Sequence, residues 1–138
     1  MKKWLVFVVG FISGAVSIVL FAFFSTSINN NNVEKLYGAT FFEQSGDCIS
    51  TKALLVIQVV DDHYALAEEV EWNSLFKDYF KTSSDLLVLV TNENNEYYYD
   101  KQIIEIPAGK CMRQIGIYKY QNRMDIEKTV PIVRLTDL

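Results

Sequence analysis

From Trp4 to Phe24 the chain reads WLVFVVGFISGAVSIVLFAFF, an apolar run interrupted only by the small residues Gly10, Ser13, Gly14 and Ser17. At a rise of about 1.5 Å per residue, a helix of this length spans roughly 31 Å, the thickness of a bilayer core. Lys2 and Lys3 precede the run, and no basic residue follows until Lys35. That asymmetry predicts a cytoplasmic N-terminus and a C-terminal domain outside the cytoplasm. The run is longer than the roughly 7–15 residues of a signal-peptide core. Residues 1–27 are therefore read as a single-pass membrane anchor, with residues 4–24 in the bilayer. Cleavage after Ser27 is the alternative and would leave a secreted or periplasmic domain. Gly10 and Gly14 form a G-x-x-x-G pair. Such spacing lets two membrane helices approach closely, which makes a homodimer through this helix a candidate.

Residues 28–38 begin in an asparagine-rich stretch without periodicity and are read as a linker to a domain over residues 39–138. In that domain the pattern changes to short apolar segments separated by turn residues. Thr40–Glu43 predicts a first short strand. Lys52–Val60, KALLVIQVV, and Tyr64–Glu69 flank Asp61-Asp62-His63 and predict a β-hairpin. Ala65 and Ala67 alternate on one face of the second strand, leaving space for close packing. Leu86–Thr91, Tyr97–Ile106, Cys111–Gln121 and Lys128–Leu135 predict further strands. Gly116 within its strand points to a bulge or bend, and Pro131, which cannot donate to a ladder, points to an edge strand.

One segment changes period. Trp72, Leu75, Phe76, Tyr79 and Phe80 recur at helical spacing, with Glu71, Asn73, Lys77, Asp78 and Lys81 between them. This predicts a short amphipathic helix over Glu71–Lys81 whose apolar stripe packs on the sheet. Phe76→Ala would then cost about 3–5 kcal/mol. Together these elements predict a mainly β domain, a small antiparallel barrel of SH3-like or OB-like architecture with one helix. A two-layer α+β sheet is the alternative.

Charge narrows the partners. With Lys2 and Lys3 set aside, eleven basic residues face seventeen acidic ones, a net charge near −6. Nucleic acid and anionic lipid surfaces are poor partners for such a domain. The chain has two cysteines, Cys48 and Cys111, and both follow the apolar run. In an oxidising compartment they predict one disulfide, which would place the start of the domain beside a late strand.

Chemistry-bearing residues are few. Asp61, Asp62 and His63 offer metal-ligand groups, but not in D-x-D-x-D-G or H-E-x-x-H spacing, so a solvated turn is expected rather than a metal site. His63 is the single histidine, and no G-x-S-x-G occurs. Catalysis and a cofactor are not expected. Tyr97, Tyr98, Tyr99, Tyr118 and Tyr120 are candidate lining for an aromatic groove that grips an extended peptide or a glycan. The reading is a membrane-tethered extracytoplasmic binding or adaptor domain for a protein or envelope polymer. A small-ligand or divalent-metal sensor using the acidic hairpin is the alternative.

Overall fold

Branched aliphatic residues fill nearly every position of Leu54–Val60 and Leu87–Val90, a composition suited to strands packed on both faces. The computed structural model describes residues 36–94 and 96–138. The proposed anchor, its Gly10 and Gly14, and residues 28–35 of the linker lie outside the described residues. The described chain forms nine strands: β1 (Ala39–Phe41), β2 (Cys48–Ser50), β3 (Leu54–Asp61), β4 (Tyr64–Asn73), β5 (Asp78–Lys81), β6 (Leu87–Thr91), β7 (Ile103–Ile104), β8 (Lys110–Gln121) and β9 (Glu127–Asp137).

The strands form a sheet in the order β1-β8-β9-β6-β4-β3-β7, with β2 also on β8 and β5 also on β4. The path runs from β1 to β7 and does not close. The domain is mainly β, as expected. Its pairings are antiparallel except β6–β9, which is parallel from Leu89↔Ile132 to Thr91↔Arg134. That pair makes β9 an interior strand between β8 and β6, which corrects the edge position expected from Pro131. The β6 ladder begins at Ile132, so Pro131 lies one residue outside it and its missing N–H is tolerated.

Alternation splits the core into two clusters on opposite faces of the sheet. One contains Leu54, Val56, Ala65, Ala67, Val88, Val90, Met112 and Val133. The other contains Leu66, Leu89, Tyr118, Val130 and Ile132. Burying each such leucine contributes about 1.5–3 kcal/mol. Ala65 and Ala67 are fully buried, and Tyr98 packs against their cluster.

The β3–β4 hairpin turns through Asp62-His63. The register between β8 and β9 shifts between Gln114 and Gly116, the bulge that the glycine announced. Gly116 is required there because a Cβ would collide with the carbonyl of Thr40 on β1. Cys48 on β2 and Cys111 on β8 form a disulfide, with Cα atoms 5.8 Å apart and a sequence separation of 63.

No helix occurs among the described residues, which overturns both the helix over Glu71–Lys81 and the α+β alternative. Val70 pairs with Lys81, Glu71 with Phe80, Trp72 with Tyr79 and Asn73 with Asp78. The segment is a hairpin that continues β4 past the sheet and returns as β5. Asn73 at its bend supplies the physical reason. Its Oδ1 accepts hydrogen bonds from the N–H groups of Leu75 at 2.9 Å and Phe76 at 3.3 Å. That Asx turn reverses the chain, with Lys77 in the left-handed region at φ 52°.

Candidate functional site

The five tyrosines do not form one groove. Tyr98 packs on the face of Ala65, whereas Tyr118 belongs to the cluster on the opposite face. Tyr97 stacks on His63 at 5.6 Å between ring centroids, beside the β3–β4 turn. Tyr99 is exposed.

Tyr118 and Tyr120 do come together. Two residues apart on β8, they share a face, and their rings stack at 5.6 Å with 13° between planes. They line an open groove of about 810 Å³ with Tyr37, Gly38, Ala39, Thr40, Lys119, Gln121 and Glu127. Gly38 makes this approach possible. It adopts φ +87°, and its carbonyl accepts from the Lys119 N–H at 2.9 Å, where a Cβ on Gly38 would strike the carbonyl of Lys119. Burial, and then the neighbouring Tyr120, push the Tyr118 phenol above its ordinary value, so it stays a neutral donor at physiological pH.

The second unusual surface is the β4–β5 hairpin. Trp72 is 51% exposed, Leu75 81%, Phe76 66% and Phe80 48%. The expected packing of this stripe on the sheet is therefore overturned. In a ribbon, successive residues point to opposite sides. Trp72 and its partner Tyr79 share one side, with rings 5.0 Å apart and edge to face. Phe80 lies on the other side, 5.7 Å from Phe76 of the bend. The Tyr79 hydroxyl donates to Glu105 Oε1 at 2.6 Å, which ties the hairpin to the segment after β7. That bond, then desolvation and the charge of Glu105, hold the phenol above its ordinary value.

A polar joint fixes the hairpin where it leaves the sheet. Glu69 is only 7% exposed. Its Oε2 accepts from the Ser50 hydroxyl at 2.5 Å, and its Oε1 accepts from Ser84 at 2.8 Å and Thr82 at 3.0 Å. Burial pushes this carboxyl up, but the hydroxyls of Ser50, Ser84 and Thr82 and the charge of Lys52 outweigh it and hold it below its ordinary value. The joint links β2, β4 and the chain that follows β5. Lys81 of β5 adds ion pairs to Glu68 at 3.3 Å and Asp85 at 3.2 Å. Sequence reading missed this joint. Its signal was a lone glutamate at an inward position of β4, with serines and a threonine at the strand ends.

Asp61, Asp62 and His63 sit together at the β3–β4 turn, where Asp61 Oδ1 accepts from the Asp62 N–H. His63 Nδ1 has no hydrogen-bond partner among the described residues. Among those residues no group of three His, Cys, Asp or Glu side chains is arranged to hold a metal ion. Comparison of the chain with protein-family models, with curated proteins and with solved structures finds no match.

Proposed function

We infer that this chain is a membrane-tethered, extracytoplasmic binding domain that grips a protein segment or an envelope polymer in the Tyr118–Tyr120 groove. The stacked pair carries the reading. Tyr118, buried in the core, backs the half-exposed Tyr120 ring and holds it as a rigid apolar wall of the groove at little entropic cost, beside Lys119, Gln121 and Glu127. Such a surface suits an extended peptide or a sugar ring, and the groove's groups bind rather than react. Tethering is supported by the Trp4–Phe24 run with Lys2 and Lys3 before it. The Cys48–Cys111 disulfide fits a domain kept in an oxidising compartment.

Photo-crosslinking tests the groove. A benzophenone amino acid in place of Tyr120 in the full chain, in intact cells, should give a covalent adduct on irradiation, and one in place of exposed Asp100 should not. Protease and glycan-degrading enzymes then assign the adduct to protein or polymer. Equal adducts at both positions, or none at Tyr120, would remove the groove from consideration.

A further inference from the structure

The pairing registers bring three features to one end of the sheet. β4 runs antiparallel to β6, so its extension through Asn73 passes beyond the Leu87 end of β6. β9 is parallel to β6, so β9 begins, and β8 ends, at that same end. β1 is antiparallel to β8 with Ala39 opposite Tyr118, so the chain also enters the domain there. The entry at Leu36, the β8–β9 turn and the tip of the β4–β5 hairpin thus share one end.

Both projecting turns are apolar at their tips. The hairpin exposes Trp72, Leu75, Phe76 and Phe80, and the β8–β9 turn exposes Met124 and Ile126. Each also carries an exposed cation, Lys77 and Arg123, beside an acid, Asp78 and Asp125. Isolated exposed apolar side chains are ordinary, but a cluster of large ones on a polypeptide bend, at the end where the chain enters, marks a contact surface.

We propose that the β4–β5 hairpin tip dips into the headgroup region of the same bilayer that holds Trp4–Phe24. The occupant follows from the chain itself. Residues 25–35 separate the apolar run from Leu36 and, at about 3.3 Å each, reach at most about 36 Å. A domain on so short a tether faces the lipid surface at high effective concentration, so weak insertion suffices. Tryptophan and phenylalanine favour the interface, where a hairpin tip settles about 5–10 Å into the headgroup and acyl boundary. Lys77 and Arg123 have stems long enough to keep their charges in the headgroups. A domain charge near −6 means that apolar burial, rather than attraction to anionic lipid, drives the contact. Zwitterionic lipid is therefore sufficient.

This inference rests on the tether of the proposed function, and the test separates the two. The full chain with Trp4→Phe has Trp72 as its single tryptophan. It is reconstituted into phosphatidylcholine vesicles with bromine on the acyl chains. Flotation after alkaline carbonate washing reads the tether, and Trp72 fluorescence reads the hairpin. The expected result is floating protein whose Trp72 emission is blue-shifted and strongly quenched by the brominated lipid, at low and high salt alike. Adding Leu75→Asp and Phe76→Asp should abolish the quenching and leave flotation intact. Floating protein whose Trp72 is quenched by aqueous iodide and not by bromolipid overturns the inference and leaves the tether standing. Quenching that survives the two aspartates, or disappears in high salt, overturns it as well. Protein that does not float removes the tether and the inference together.

Discussion

Residues Tyr64–Val70 of β4 and residues Glu71–Asn73 of the same strand make the same backbone ladder in opposite surroundings. The first stretch pairs with β3 on one edge through Glu69 and with β6 on the other through Glu68, giving way to β5 at Val70, and Ala65, Leu66, Ala67 and Val70 are buried. The second pairs with β5 alone, and Trp72 stands half in water. Hydrogen bonding accounts for both being strand, and burial distinguishes them. A two-stranded ribbon is marginal by itself, so the hairpin depends on the Glu69 joint and on the Tyr79–Glu105 bond where the surroundings change. Its apolar residues do not serve the core, which is why they are assigned to a contact.

Losses on substitution should be largest on the sheet side. The Cys48–Cys111 bridge ties β2 to β8 across a sequence separation of 63. On the chain-entropy model such a loop contributes about 4 kcal/mol. Cys48→Ser with Cys111→Ser should lower the denaturation midpoint accordingly, and alkylation of the unreduced, unfolded chain should label neither cysteine. Leu89→Ala removes a fully buried side chain from the middle of the sheet and should cost about 2–5 kcal/mol in the same denaturation experiment. A cost below 1 kcal/mol at Leu89 would erase the distinction between sheet and hairpin.

The joint comes next. Glu69→Ala leaves the hydroxyls of Ser50, Thr82 and Ser84 without their acceptor and should cost about 1–3 kcal/mol. The pH dependence has a defined sign. The folded carboxyl titrates below its ordinary value of 4.5, so its contribution is complete above that pH. It is lost as pH falls through the folded value. Wild type should therefore lose stability on acidification below about pH 4.5, and Glu69→Gln should flatten that part of the profile. An unchanged acid limb in Glu69→Gln would show that the joint does not hold a charged carboxylate.

The sheet side was legible in sequence because burial on both faces leaves a continuous aliphatic run, as in Leu87–Val90, and burial on one face an alternating one, as in Lys110–Gln121. The Asp61–His63 turn and the Gly116 bulge were legible for local reasons, and the cysteine pairing because the chain has two cysteines and hence one possible bridge. Where β9 sits was not, because pairing a strand in parallel with β6 is a non-local choice that Pro131 does not forbid. The hairpin was misread for a different reason. Side chains on both sides of a ribbon and on its bend recur at three- and four-residue intervals, and Trp72, Leu75, Phe76, Tyr79 and Phe80 imitate a helical stripe. Asn73-Ser74 held the turn signal that would have separated the two. The groove was half legible: Tyr118 and Tyr120 share a face by strand alternation, but which face Tyr98 would join depended on the loop between β6 and β7.

The smallest expected effect is the most informative. Phe76 lies on the bend of the hairpin, 66% exposed, with Phe80 as its aromatic neighbour. Had the segment been a helix packed on the sheet, Phe76→Ala would have opened a cavity costing about 3–5 kcal/mol. On the hairpin the substitution opens none, and it removes one edge-to-face pair from a solvated ribbon. The change in unfolding free energy should stay within about 0.5 kcal/mol, the range for surface positions. A loss comparable with that of Leu89→Ala would mean that Phe76 is buried in solution, and the division of β4 into a core stretch and a contact stretch would fail with it.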